Sequence, residues 1–165
     1  MKVLVAGATG AIGRPLIRLL KESGHAVFGL VRSSDSESAL VEMGAEAVTV
    51  DALDAASVKA AIQRIRPDAI INELTSLPRH YTPEEMKAAA DRDRTVRTKG
   101  NINLLAAMHD AGVRSYILQS SGFWYAPVWV SPLNWCRLQL TPLPGSLPAR
   151  VPMLSWNRLR SERPR

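Results

Sequence analysis

Short apolar runs alternate with amphipathic stretches through the first two thirds of the chain, which predicts strands alternating with helices. The run Val3-Leu4-Val5-Ala6 is apolar throughout and too short for a helix, so it reads as a buried strand. An apolar-periodic helix follows from about Ala11 to Ser23, with Ile12, Leu16, Ile17, Leu19 and Leu20 as its expected buried stripe. Pro15 falls in that helix's first turn, where its missing N–H is tolerated, and Gly24 is placed to end it in a left-handed cap. Further strands are expected at His25 to Val31, Ala45 to Val50, Asp68 to Asn72 and Val113 to Gln119. Between them lie a short helix capped by Asp35 or Ser36 and ending near Met43-Gly44, and a helix from Asp54 to Ile65. A polar loop from Leu74 to Thr82 leads to a long helical segment, about Pro83 to Asp110, with a break near Gly100. Strands and helices at this spacing give right-handed parallel crossovers, hence an α/β fold with a doubly wound parallel sheet.

The turn between the first strand and the first helix carries the chemistry. In Gly7-Ala8-Thr9-Gly10-Ala11-Ile12-Gly13 the glycines recur at three-residue spacing. Gly7 allows a sharp exit from the strand, Gly10 leaves room for a bulky anion at the backbone, and Gly13 permits close helix–strand packing. The amides and positive dipole end of the new helix would face that anion. Three glycines alone are a weak signal, but a strand before them and a helix after them is the context the motif requires. A dinucleotide pyrophosphate suits this geometry best, and the sheet is therefore expected to be Rossmann-like.

Composition changes the picture in one place. The 165 residues suit a single domain with a real core, and the formal charge is +6. Up to Ala126 there are fifteen Lys and Arg against fourteen Asp and Glu, whereas six Arg and only Glu162 follow. The basicity belongs to the tail, so it argues for no nucleic-acid partner. The expected organisation is a dinucleotide-binding domain over residues 1–126 and an irregular Pro/Arg/Trp-rich tail over 127–165, where Pro142, Pro144, Pro148 and Pro152 interrupt any periodicity. No run is apolar enough to span a bilayer and the N-terminus shows no signal-peptide pattern, so no membrane partner is expected. A single cysteine, Cys136, has no activating neighbour in sequence and fits a reducing cytoplasm. His25, His80 and His109 lie on separate elements without ligand spacing, so no metal site is expected.

Several motifs in order carry a family resemblance over roughly residues 1 to 126. With the glycine turn come Val50-Asp51-Ala52-Leu53-Asp54 after the third strand, Lys99-Gly100-Asn101-Ile102-Asn103-Leu104-Leu105 in the long helix, and Gln119-Ser120-Ser121 through Tyr125 after the fifth strand. The chain resembles the short-chain dehydrogenases/reductases, most closely the extended or atypical branch that includes NAD-dependent epimerases and dehydratases. The resemblance implies a nicotinamide cofactor held by Gly7, Thr9, Gly10, Ala11, Ile12 and Gly13, with Asp51, Ala52 and Leu53 around the adenine. It also implies Ser121 as the active-site serine, an equally good turn-capping serine in its own right. The implied chemistry is hydride exchange with a carbon bearing a hydroxyl or carbonyl, on a nucleotide sugar or similar polar metabolite.

Two departures qualify the resemblance. The family's Tyr–Lys acid/base dyad has no counterpart, because no Tyr follows Tyr125 and no Lys follows Lys99. Arg97 stands where the extended branch commonly has Asn, nearer the atypical members. The tail is expected not to be the family's natural continuation, and three readings stay open: an enzyme, a non-catalytic dinucleotide-binding sensor or regulator, and a truncated inactive member. Arg32, nineteen residues past Gly13 at the end of the second strand, favours NADP over NAD, since an arginine there pairs with a 2′-phosphate; its alternative is an ordinary solvated side chain. Tyr81, in the loop after the fourth strand, is an outside candidate for a replacement acid, and Tyr125 reads as a packing residue. The charges Asp91-Arg92-Asp93-Arg94 read as a solvated helix face, and oligomeric state is left open.

Overall fold

The computed structural model describes residues 1–78 and 80–119. Ser121, Tyr125, Cys136 and the tail from 127 onward lie outside the described residues. The described strands are β1 (Lys2–Ala6), β2 (Ala26–Val31), β3 (Glu46–Thr49), β4 (Ala69–Asn72) and β5 (Ser115–Leu118). The helices are α1 (Gly13–Glu22), α2 (Glu37–Glu42), α3 (Ala55–Ile65), α4 (Pro83–Thr95) and α5 (Asn101–Asp110). All five strands run parallel in the order β3-β2-β1-β4-β5, the doubly wound arrangement the alternation predicted. The first strand lies in the middle, and the order reverses between β1 and β4.

Alternation along β1 divides the core into two layers. Val3 and Val5 join Val27, Val31, Ile71, Ile17 of α1 and Leu40 of α2 on one face. Leu4 and Ala6 join Leu30, Val48, Ile70, the α3 residues Val58, Ala61, Ile62 and Ile65, and Leu104 of α5 on the other. Both faces of β1 are sealed, which is why its sequence is continuously apolar. Each fully enclosed Leu or Ile contributes about 1.5–3 kcal/mol relative to exposure.

The helix ends follow local chemistry. Gly24 closes α1 at φ +78°, the left-handed cap expected of it. Asp54 caps α3 by accepting from the Ala56 and Ser57 amides at 3.0 and 3.3 Å, and Thr82 caps α4 by accepting from the Glu85 amide at 3.2 Å. Hydrogen bonds from the Ser57 hydroxyl and amide hold the Asp54 carboxyl below its usual range. The break expected near Gly100 is a π-helical turn, Val96–Gly100, between α4 and α5.

Three expectations need correction. Ile12 and Leu19 of the predicted α1 stripe are exposed, at 46% and 61%. At about 100° per residue both project on the side of the helix opposite Ile17, so the buried stripe is narrower than the apolar composition implied. Ser36 occupies the N-cap of α2 without a capping bond, because a 3₁₀ turn at Ser34–Ser36 already brings the backbone into helical geometry. Asp93 is not on a solvated face: its side chain is 14% exposed and ties α4 to the loop after β4.

Candidate dinucleotide site

The C-terminal ends of β1 and β4 form the crevice where a doubly wound sheet receives its ligand, at the point where strand order reverses. Gly7 leaves β1 at φ +83°, and a Cβ there would run into the backbone carbonyl of Glu73. A Cβ on Gly13 would run into the carbonyl oxygens of Gly7 and Ala8. Gly10 is different, since its nearest neighbour would be the Gly7 oxygen at 3.2 Å and it is exposed. The turn can therefore close on itself only with glycine at 7 and 13, while position 10 keeps an open approach. The Gly10 amide donates to the Gly7 carbonyl at 3.0 Å, and Arg14 clamps the turn through its Nε to the Thr9 carbonyl at 3.0 Å. Among the described residues no hydrogen bond uses the amides of Ala11 and Ile12, which stay exposed at the N-terminus of α1. An open glycine, free amides and a helix dipole are the donor set a pyrophosphate requires, so these residues fit that group.

The adenosine-side candidates sit on the β2 and β3 side of this turn. Arg32 follows Val31 directly, is exposed, and makes no ion pair among the described residues. Asp51 lies after β3, where its Oδ1 accepts from the Leu53 amide at 2.9 Å and folds the Asp51-Ala52-Leu53 segment back on itself. Ala52 is buried and Leu53 is 40% exposed, so the segment offers an apolar rim beside an acceptor. Tyr81 is 70% exposed, and no proton-transfer partner is seen for it among the described residues.

On the other side of the turn the structure joins Asn72 and Tyr116, which sequence reasoning did not single out, to residues it had read separately. Asn72, at the end of β4, is the only buried polar residue among those described. Its Nδ2 donates to Asn101 Oδ1 at 3.2 Å and to the Tyr116 hydroxyl at 3.0 Å, its Oδ1 accepts from the Leu74 amide at 2.9 Å, and Tyr116 donates to Asn101 Oδ1 at 2.7 Å. Burial pushes the Tyr116 phenol up from its ordinary value, and the Asn72 hydrogen bond opposes this in part. Asp93 accepts from the Ser76 amide at 2.6 Å and from Arg97 Nε at 2.7 Å, while Arg92 Nε donates to the Ser76 hydroxyl at 2.6 Å. Asn103 Nδ2 donates to the Ala52 carbonyl at 2.9 Å, and Gly100 lets the π turn pack against Ala52 and Leu74. The segments after β3 and β4 are thus both held from the π turn and α5. A polar residue closing an otherwise apolar strand, as Asn72 closes Ala69-Ile70-Ile71, was the signal that could have found this network.

A parallel sheet with this strand order and this glycine turn defines an α/β dinucleotide-binding domain. The chain belongs to the NAD(P)H-binding family, whose model matches residues 7–143. It is 39% identical over 127 residues to a 3-diazoavenalumate denitrifying reductase from Streptomyces sp, covering 77% of this chain and 40% of that protein. It is 32% identical over 123 residues to the photosystem II assembly factor Ycf39 of Synechocystis sp., covering 73% of this chain and 33% of that protein. A crystal structure of UDP-glucose-4-epimerase from Stenotrophomonas maltophila, with bound NAD and formylated UDP-arabinopyranose, superimposes with a TM-score of 0.67 at 26% identity, covering 81% of this chain and 40% of that one. The chain therefore spans 40% or less of the length of these relatives. Among the described residues no helix is long and apolar enough to cross a membrane.

Proposed function

We propose that this chain is the cofactor-binding part of a hydride-transferring enzyme acting on a hydroxyl or carbonyl carbon, with NADP as the preferred cofactor. The observation that carries this reading is the turn from Gly7 to Gly13, closed by glycine-only contacts yet open at Gly10, in the centre of the sheet. In this reading Gly7, Thr9, Gly10, Ala11, Ile12 and Gly13 hold the pyrophosphate, and Arg32 pairs with the 2′-phosphate. Asp51, Ala52 and Leu53 receive the adenine. Bound NADP(H) would supply the hydride, while the chain's own residues orient the dinucleotide and exclude water around it. The denitrifying reductase and the nucleotide-sugar epimerase to which the chain is similar support a polar metabolite or nucleotide sugar as substrate. Ser121, after β5, is the residue proposed to meet that substrate.

A second reading is a non-catalytic dinucleotide-binding module, favoured by the similarity to a protein named as an assembly factor. Calorimetric titration with NADPH and NADH tests the cofactor reading directly. NADPH is expected to bind more tightly, and Arg32→Glu should weaken NADPH by about tenfold, the order of one lost charge-assisted pair, while leaving NADH nearly unchanged. Unaltered NADPH affinity in Arg32→Glu removes the argument for NADP. Turnover of carbonyl substrates separates the two readings.

A further inference from the structure

Glu73 stands one residue past β4, and its amide donates to the Ala6 carbonyl at 2.9 Å. Its backbone carbonyl is the surface against which Gly7 packs, so this residue adjoins the glycine turn at the reversal of strand order. Arg32 and Asp51 occupy the β2 and β3 side, which leaves the β4 and β5 side to the second nucleotide of the dinucleotide. Glu73 Oε2 is enclosed and has no hydrogen-bond partner among the described residues. Among the described residues it is the only enclosed side-chain polar atom so left, and a group of that kind calls for an explanation. Neither the fold nor the proposed contacts to the pyrophosphate and adenine use it.

We propose that Glu73 is a cofactor-contacting residue, donating as a neutral carboxyl to an oxygen of the dinucleotide's second nucleotide. This rests on the dinucleotide reading given above. Burial raises the Glu73 carboxyl above its ordinary value, and no charged neighbour contributes to that shift. Among the described residues, the titratable groups on the surrounding elements are engaged elsewhere or distant along the chain. Lys2 sits at the far end of β1 against Asp68 and Ile65, Arg14 is held by Thr9, and Tyr116 by Asn101. Asp93 and Arg97 pair with each other, and Lys99 is exposed on the π turn. An anionic pyrophosphate on the adjoining turn disfavours a carboxylate further, so ligand charge and burial act in the same direction. A neutral carboxyl is a donor there, whereas a carboxylate repels the ligand.

The test is calorimetric titration of the full chain with NADH, which lacks a titrating 2′-phosphate, in wild type, Glu73→Gln and Glu73→Ala. Wild-type affinity is expected to fall by roughly threefold or more between about pH 5 and about pH 8. Glu73→Gln, a neutral donor of the same shape, should hold the low-pH affinity across that range, and Glu73→Ala should bind weakly throughout. A wild-type profile as flat as that of Glu73→Gln, or low-pH binding by Glu73→Gln that is weaker than wild type, overturns the proposal while leaving the cofactor reading intact. Absence of NADH and NADPH binding by the wild type at every pH overturns both. Thermal melts of the three unliganded proteins confirm that each variant is folded.

Discussion

The two sides of the sheet share apolar packing but differ in the polar contacts added to it. On the β1–β2–β3 side, the described interior around α1 and α2 is apolar, from Val3, Val5, Val27 and Val31 to Ile17 and Leu40. On the β4–β5 side, one buried amide, Asn72, links β4, β5, α5 and the following loop, and the Ser76 amide of that loop donates to Asp93 of α4, which also pairs with Arg97. Apolar packing is non-directional, so the first side tolerates shape-conserving exchange. Hydrogen bonds are directional, and an unpaired partner is costly, so the second side depends on each member being present. Arg32 thus stands at the end of a strand packed by apolar pattern, while the Asp51–Leu53 segment is also tied by the Asn103 amide to the Ala52 carbonyl. The segments beside the second nucleotide stand on a scaffold set by specific polar contacts.

The largest expected effect falls on the turn common to both sides. Gly13→Val places side-chain atoms into the Gly7 and Ala8 carbonyls, which are backbone and cannot swing aside. A loss of about 3 kcal/mol or more, read by denaturant unfolding, together with loss of NADPH binding, is expected. Wild-type stability in that variant would show that the turn is not closed as described.

Asn72→Leu tests the polar side next. It removes three hydrogen bonds and leaves Tyr116, Asn101 and the Leu74 amide short of partners, with an expected cost of about 2–3 kcal/mol. Combined with Tyr116→Phe, the pair should be clearly non-additive, with a coupling of about 0.5 kcal/mol or more. Additive losses would mean that the buried amide and phenol act independently, and the contrast between the two sides would weaken. Val27→Ile on the apolar side, by comparison, is expected to shift stability by less than about 1.5 kcal/mol.

The smallest effect is a pH dependence at the α3 cap. The Asp54 carboxyl is lowered in the folded protein, so its contribution is present above the unfolded value and is lost as pH falls through the folded one. The Asp54→Asn variant should therefore differ from wild type near neutral pH and converge with it in acid. A difference that persists in acid would locate the effect in the packing of α3 and not in the carboxylate cap.

The element order and the glycine turn were readable because both depend on spacing along a few residues. Strand limits shifted by one or two residues, and the helix break at Gly100 was found because glycine interrupts helical sequence wherever the chain goes. The α1 stripe was read too broadly, since composition says that Ile12 and Leu19 are apolar but not that the sheet meets only one side of the helix. Asp93 was misread for a related reason. A charge between other charges looks solvated until the loop carrying Ser76 is laid across it.

What the sequence determined by itself is therefore the local part of the protein: which segments form strands or helices, and a backbone turn that needs glycine at fixed positions. Which polar groups are enclosed was decided by tertiary structure. Asn72 meets Tyr116 across 44 positions and Asn103 meets Ala52 across 51, contacts that exist only once strand order and helix docking are set. Glu73 belongs with them, because one oxygen of its carboxyl is enclosed only in the folded chain. Local spacing acts through steric rules that every short segment obeys, whereas desolvation is a property of the assembled chain.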